Sequence, residues 1–488
     1  MSDSLKLTTI RALLWSLLEF VITRGLQFII GIVLARLLYP EQFGLIGMLL
    51  IFMGVAQCFI DSGFGAALIQ QREATLTDTC SIFYFNIIVG LTTAGCLCLV
   101  APWIAAFYNQ PILTQLTRLL SVIIIINSFG MIQSTILVKQ INFKTQTKIS
   151  LIAGVLSGTI GITLAVAGFG VWSLAFQQVS SALFQTACLW FFSPWRPALI
   201  FSLGALRKMF GFGSRMLLSS VLNQLFENSY ILVIGKLFSV ADVGFFTRAK
   251  TLQELPSQTL SGMVGRVTFP VFSTIQDDPI RLKRGMKKTM SVLVLINFPV
   301  MLGLALVARP LVLLLLTEKW AQCIPYFQLL CLVGLLYPVH LINLTLLQAL
   351  GHSNLFLQLE IIKKILIAIT LSITWRWGIS AIIYGMLLMS IISYYVNSYF
   401  TGVLIGYPIR EQLCDIYPYL IIALLMGGGV YAAGLLPLVD NGLMLLVQVT
   451  IGTILYVCLC RTCRLAAFME LWQAVWNRSP FLKARMVR

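Results

Sequence analysis

The sequence predicts an all-α polytopic membrane protein of about fourteen transmembrane helices, built from two similar halves. Of its 488 residues 59% are hydrophobic and only 10% charged, with a mean hydropathy of +0.92. A soluble domain carries about 25% charged residues. Apolar runs of about 20 residues, the length that crosses a bilayer, recur along the whole chain. A shift of 200 residues brings parts of the second half into register with the first.

The runs place helices near 11–36, 41–65, 79–106, 113–137, 148–169, 171–192, 208–238, 241–272, 288–316, 325–350, 355–374, 378–400, 416–437 and 441–460. The first run is too long for a cleavable leader and carries Glu19 and Arg24 in its middle, so it is expected to remain as a transmembrane helix. The eighth is very polar for a membrane helix, and the ninth is expected to end in a short re-entrant piece after Pro310. Beyond Arg464, Phe468, Leu471, Trp472, Val475 and Trp476 recur at helical spacing with basic residues after them, the pattern of a helix lying on a membrane surface.

Basic residues set the orientation. One alternating set of connections holds twenty-one, among them Lys139, Lys144 and Lys148, the cluster Arg281 to Lys288, and Arg461 to Arg488; the other set holds four, Arg36, Arg309, Lys319 and Arg376. Positive-inside logic puts both termini and the 273–288 connection in the cytoplasm. Trp103, Trp172, Trp320, Trp375 and Trp377 fall at the outer helix ends, and Trp15, Trp190 and Trp195 at the inner ones, as amphipathic rings prefer. The net charge of +17 is thereby explained by the membrane and not by nucleic acid.

Several function classes find no support. No GxxxxGK[ST] loop surrounds Gly235-Lys236, and no HExxH occurs. The two histidines, His340 and His352, lie far from the lone Cys460/Cys463 pair, so neither a catalytic centre nor a metal site nor any cofactor is expected. The eleven cysteines lie mostly in apolar runs and act there as small hydrophobes. Asp277-Asp278 lacks a soluble catalytic domain around it.

The repeat aligns Leu34-Ala-Arg-Leu-Leu38 with Ile234-Gly-Lys-Leu-Phe238, and Phe43-Gly44 with Val243-Gly244. At the same offset Glu19 meets Ser219, Thr23 meets Asn223, Arg24 meets Gln224, and Gln27 meets Glu227. Spacings of four, five and eight put such residues on one stripe of a helix. Polar groups facing lipid are costly, so the two stripes are expected to line a shared cavity between two parallel-related halves. The eighth run adds Lys250, Glu254, Ser257 and Ser261 on one face, with Lys250 and Glu254 spaced to pair. Arg248 and Arg266 share another face, about 27 Å apart along the helix. Each has a blander reading. An Arg near a helix end often only snorkels to the headgroups, which suits Arg266, Arg215 and Arg118, and Glu360 with Lys363 and Lys364 reads as a locally neutralised cluster. Arg24, Glu19 and Glu227 sit deeper and on repeat-related faces, which favours function; Arg248 and Lys250 stay open between the two readings.

The run Gly211-Phe-Gly-Ser214, then Asn228 to Lys236, then Val243-Gly-Phe-Phe-Thr-Arg-Ala-Lys250 resembles Wzx-type polysaccharide transporters. So do Arg266 to Phe272, Ile275 to Asp278, Glu318-Lys-Trp320, Asp61-Ser-Gly-Phe-Gly65 and Gly168-Phe-Gly-Val-Trp172, in an order that is similar to the colanic-acid branch. Thr317 stands where that pattern has Gly. The resemblance implies the multidrug/oligosaccharidyl-lipid/polysaccharide exporter superfamily: six-helix bundles at 1–205 and 206–410, an additional pair at 411–460, and a basic amphipathic cytoplasmic tail at 461–488. It implies a flippase of the bacterial inner membrane that turns a polyprenyl-pyrophosphate oligosaccharide from the cytoplasmic to the outer leaflet. A polysaccharide polymerase and chain-length machinery are the partners it suggests. A cation-coupled multidrug exporter of the same superfamily, or a membrane polymerase or ligase, are the alternatives. On this reading Arg24, Arg248, Lys250, Gln27, Asn223 and Gln224 are expected to bind substrate, and Glu19, Glu227 and Glu254 to couple transport to an ion gradient or the membrane potential.

Overall fold

The computed structural model describes residues 22–61, 63–70, 75–140, 142–437 and 440–478, and it is almost wholly helical. Outside the described residues lie Glu19, Trp15, Arg72, the chain beyond 478, and the side chains of Lys208, Arg266, Val475 and Trp476. The chain divides into two compact units, Met1–Thr247 and Arg248–Arg488. Nine helical stretches among the described residues are long and apolar enough to cross a membrane. The all-α polytopic expectation holds, while the count of fourteen does not follow from length and hydropathy alone.

The first unit contains α1 (seen over 22–37), α2 (Pro40–Asp61), α3 (Phe64–Gln70), α4 (Leu76–Tyr108), α5 (Ile112–Lys139), α6 (Phe143–Val166), α7 (Val171–Phe192), α8 (Leu203–Glu227) and α9 (Ser229–Leu237). It also holds the first two turns of α10 (Val240–Thr274). Local chemistry sets several of the ends. The Thr75 hydroxyl accepts from the Asp78 N–H at 3.1 Å while the Asp78 carboxylate accepts from the Thr75 N–H at 3.0 Å, so two otherwise orphaned donors are satisfied where α4 begins. The single run expected over 208–238 is broken at Asn228, whose side-chain amide donates to the Gln224 carbonyl at 3.1 Å and so competes with the helical backbone. Likewise the run expected to reach residue 65 stops at Asp61. Gly63 takes a φ of +70° there, and a Cβ on it would stand 2.6 Å from the Gly213 carbonyl of α8.

The 200-residue repeat is written into the packing of this unit. A Cβ on Gly44 would stand 1.8 Å from the Val240 carbonyl oxygen, and one on Gly244 would stand 2.0 Å from the Pro40 carbonyl oxygen. Positions 40 and 240, like 44 and 244, differ by 200, so the two contacts are images of each other. Glycine lets the first turns of α2 and α10 approach backbone to backbone, as small residues do between membrane helices.

The second unit continues α10 and adds α11 (Pro279–Leu306), α12 (Ala308–Leu316), α13 (Cys323–Leu335), α14 (Tyr337–Ala349), α15 (Ser353–Thr374), α16 (Ile379–Ile405), α17 (Ile409–Gly434), α18 (Asn441–Thr462) and α19 (Ala466–Arg478). Two runs are broken, each just before a proline: a separate short piece was expected around Pro310, whereas the 325–350 run was expected to be continuous. Pro310 has no N–H for the Leu306 carbonyl, and α11 gives way to α12 at Val307. Pro338 similarly frees the Gly334 carbonyl at the α13–α14 break. Asn297 of α11 repairs it: its amide donates to Gly334 O at 3.1 Å and Leu335 O at 2.9 Å.

The connection expected over 273–288 is much shorter in the structure. Only 275–278 leave the helical path, because the Asp278 carboxylate accepts from the N–H groups of Ile280 and Arg281 and starts α11 at Pro279. The basic cluster therefore rides on helical turns. Lys283 pairs with Glu411 at 2.6 Å and Lys287 with Asp415 at 2.9 Å, both on α17, while Lys288 pairs with Glu470 of α19 at 2.5 Å. Burial, helped by the hydrogen bond its hydroxyl donates to Asp415 at 2.8 Å, pushes the phenol of Tyr407 far above its ordinary range. The helix expected after Arg464 is present as α19. Its Phe468 and Trp472 rings stack at 5.7 Å, and Leu471 and Trp472 remain exposed.

Thr317, where the sequence pattern favours Gly, has φ +82° and ψ 172°, a conformation that only glycine adopts without strain. Thr317→Gly is expected to stabilise the protein by about 1 kcal/mol or more, read as a raised thermal midpoint of the detergent-solubilised chain. An unchanged or lowered midpoint contradicts this.

Candidate functional site

In the first unit the polar stripe on α1 is only partly visible. Leu26 and Ile30 seat α1 on α6, where they lie against Gly154 and Gly158. Arg24 projects from the other side of α1 and is exposed, as is Gln27, while Thr23 is half-buried. On α8, Asn223 and Glu227 are exposed. Gln224 turns instead toward α2 at Gly54, where a Cβ would stand 2.0 Å from its amide nitrogen. Arg24 and its repeat mate Gln224 thus have different surroundings. Glu19 lies outside the described residues, so the stripe is followed only from Thr23 onward.

A second feature of the first unit escaped the sequence reading. A cavity of about 440 Å³ opens where α2, α5, α7 and α8 converge, lined by Gln57, Asp61, Asn127, Ser134, Thr135, Gln185, Thr186 and Ser220 along with apolar side chains. A relay of amides runs through it. The Asn127 side-chain N–H donates to Gln57 Oε1 at 2.9 Å, and the Gln57 amide donates to Asp61 Oδ1 at 3.3 Å. The Thr186 hydroxyl donates to the Ile126 carbonyl at 3.2 Å. Among its lining residues there is one carboxylate, Asp61, and no Lys, Arg or His. The spacing of Gln57 and Asp61, four residues apart on a helix that is apolar from Phe43 to Ala56, is the signal in the sequence that could have found it.

In the second unit, the expected Lys250–Glu254 pair forms, at 3.7 Å. Arg248 lies with its guanidinium 6.0 Å from the centre of the Trp320 ring, so two motifs that are 72 residues apart in the chain meet there. Trp320 is fully buried, which anchors the Glu318-Lys-Trp320 turn beneath Arg248. Gln253 donates to Ser257 at 3.1 Å on the same helix. Lys363 pairs with Glu360, the local neutralisation expected of that cluster. Among the described residues no group of three or more His, Cys, Asp or Glu side chains is placed to hold a metal ion. Cys460 is buried while Cys463 is exposed.

Residues 33–325 match the family described as "Polysaccharide biosynthesis protein". The chain belongs to this family. It is 29% identical over 425 residues to the lipopolysaccharide biosynthesis protein WzxC of Escherichia coli (strain K12), covering 85% of each chain. It is 30% identical over 332 residues to the succinoglycan biosynthesis transport protein ExoT of Rhizobium meliloti (strain 1021), covering 68% of this chain and 67% of that one. Its fold is shared with the inward closed conformation of lipid II flippase MurJ, at a TM-score of 0.76, 15% identity and coverage of 91% of this chain and 97% of that one. It is also shared with an inward-facing multidrug resistance MATE family transporter of the MOP superfamily, at a TM-score of 0.62, 17% identity and coverage of 78% and 94%. This member of the polysaccharide biosynthesis protein family is therefore a multi-pass membrane protein with the fold of that superfamily.

Proposed function

We propose that the protein is a flippase that moves a polyprenyl-pyrophosphate-linked oligosaccharide from the cytoplasmic to the outer leaflet of the bacterial inner membrane. The observation that carries this is the 30% identity, over 332 residues, to a protein named for transport in polysaccharide biosynthesis. The chemistry agrees. Such a substrate joins a hydroxyl-rich head and an anionic bridge to a lipid tail, and the chain offers a polar cavity, intramembrane cations and a bilayer-spanning surface. Transport proceeds by alternating access of the halves 1–205 and 206–410, with the pair 411–460 appended, and draws on an ion gradient or the membrane potential. The chain acts as a transporter and not as a polymerase or ligase, and works beside the polymerase that consumes its product. Cells lacking the protein should lose the polysaccharide and accumulate the lipid-linked oligosaccharide on the cytoplasmic leaflet. Normal polysaccharide with no accumulation would overturn the reading.

Arg24 and, in the second unit, Lys250 are proposed to hold the pyrophosphate, with Arg248 shaped by its seat on Trp320 and with Gln27, Asn223 and Gln224 as polar neighbours of the path. Glu227, with Glu19 and Glu254, is proposed to alternate a coupling proton with substrate. Vesicle transport that keeps its full dependence on a proton gradient in Glu227→Gln would remove Glu227 from that role.

Both termini and the α10–α11 turn are placed in the cytoplasm, since basic residues concentrate there. A cysteine introduced at Asp277 should stay unlabelled by an impermeant maleimide in intact cells and label in inverted vesicles. The reverse pattern would invert the topology.

A further inference from the structure

The cavity of the first unit does not fit an anion. Its polar groups are amides, hydroxyls and one carboxylate, without a cation among the lining residues, so a pyrophosphate brought there would face Asp61 unneutralised. The same groups suit a sugar. Amides both donate and accept, a carboxylate accepts from sugar hydroxyls, Ser220 can do either, and Thr186, whose own proton goes to the Ile126 carbonyl, accepts. The size is also right: about 440 Å³ lies within the usual range of small-molecule sites, roughly 300–1,000 Å³. Asn127, Gln57 and Asp61 are already aligned by their own hydrogen bonds, so a ligand meets a preorganised row and little ordering cost remains.

We propose that this cavity is a saccharide subsite, taking one uncharged sugar of the lipid-linked oligosaccharide while the pyrophosphate is held elsewhere by cations. The inference rests on the flippase reading and adds to it a division of labour, with sugar recognition in the first unit and charge recognition outside this cavity. In the proposed topology the cavity lies toward the cytoplasmic end of α2, where a substrate enters. Gln57, Asp61, Asn127 and Gln185 then contribute to which sugar repeat is accepted.

The test uses the full-length chain in cells that make the lipid-linked oligosaccharide, with a photocrosslinking amino acid at Met216, which lines the cavity without belonging to the amide relay. The oligosaccharide is radiolabelled either in its sugars or in its polyprenyl chain, and mild acid after irradiation splits the glycosyl–phosphate bond, so that the protein keeps only the portion to which it is crosslinked. Sugar label should transfer to the protein on irradiation. Asn127→Ala should cut that transfer about tenfold, the effect of losing one hydrogen bond worth about 1.4 kcal/mol. Because Asn127→Ala could also disturb folding, membrane abundance is measured and Asn127→Asp provides a second variant: it keeps the shape, loses the donor and should show a similar loss. Three results overturn the proposal: no sugar label at Met216 while wild-type export proceeds; transfer that the polyprenyl label reports instead; or variants that change the ion dependence of export and leave sugar transfer intact, which would make Asp61 part of a cation site. Loss of the underlying flippase reading looks different, since wild-type protein would then fail to restore export at all.

Discussion

Gly44→Leu and Gly244→Leu should each all but eliminate folded protein from the membrane. The Cβ that either change introduces would stand 1.8 Å or 2.0 Å from a backbone carbonyl oxygen, at Val240 or Pro40. A backbone atom cannot rotate aside as a flexible side chain can, so the first turns of α2 and α10 must separate. Overpacking alone costs about 1–3 kcal/mol in a core that can adjust; against backbone the penalty should reach about 3 kcal/mol or more, a large share of the stability of most proteins. Because the two contacts are mirror images in the repeat, the penalties should be similar, and the double variant should cost less than their sum. Gly95→Ala is the control. A Cβ there meets nothing within 4 Å, and alanine favours the helix by about 1 kcal/mol. Membrane abundance of the four variants, with export beside it, reads the outcome. Normal abundance of Gly44→Leu would mean that the close approach is not maintained.

Arg24→Ala should reduce export per molecule by about a hundredfold while leaving abundance near normal. Leu26 and Ile30 carry the packing of α1 against α6, and Arg24 lies on the other side of the helix, so its removal opens no cavity in that contact. A hydrogen bond between charged groups contributes about 1.5–3 kcal/mol, and a guanidinium can make two to one phosphate. Losing that pair, at the low end of this range, gives the stated factor. Lysine should restore part of it, because it supplies the charge without the planar fork. A structural role for Arg24 predicts the opposite split, with abundance down and export per molecule unchanged.

The sequence made the order of helices legible because each apolar run ends where Gly, Pro, Asn or charge accumulates. It exposed the repeat too, and Phe43-Gly44 with Val243-Gly244 marked the positions whose glycines now carry reciprocal contacts. Breaks within runs were harder to see. Asn228 interrupts a helix through a hydrogen bond to its own backbone, and the Gly334 carbonyl that Pro338 frees is satisfied by Asn297, 41 residues away from the proline. The 273–288 stretch read as a loop from its charge. Its lysines are instead held on helical turns by Glu411, Asp415 and Glu470, partners more than a hundred residues distant. The seat of Arg248 on Trp320 has the same origin: no local pattern announces a contact between residues 248 and 320. The amide relay was missed for a different reason. Isolated Gln and Asn residues in apolar helices look alike whether they line a cavity or bond a neighbour, and only the convergence of four helices distinguishes them.

The claim on which the rest depends is that this chain, by itself, carries an oligosaccharide-bearing lipid across the bilayer. It is tested by reconstituting the purified protein into liposomes that hold a polyprenyl-pyrophosphate oligosaccharide in the inner leaflet, and adding outside a glycosidase specific for its sugars. With the protein present and an ion gradient or potential imposed, sugar release should climb well past the fraction accessible at the start, and the Arg24→Ala protein should leave release near the protein-free rate. Release that stays at the protein-free rate with wild-type protein, under either a proton gradient or a membrane potential, would contradict the account.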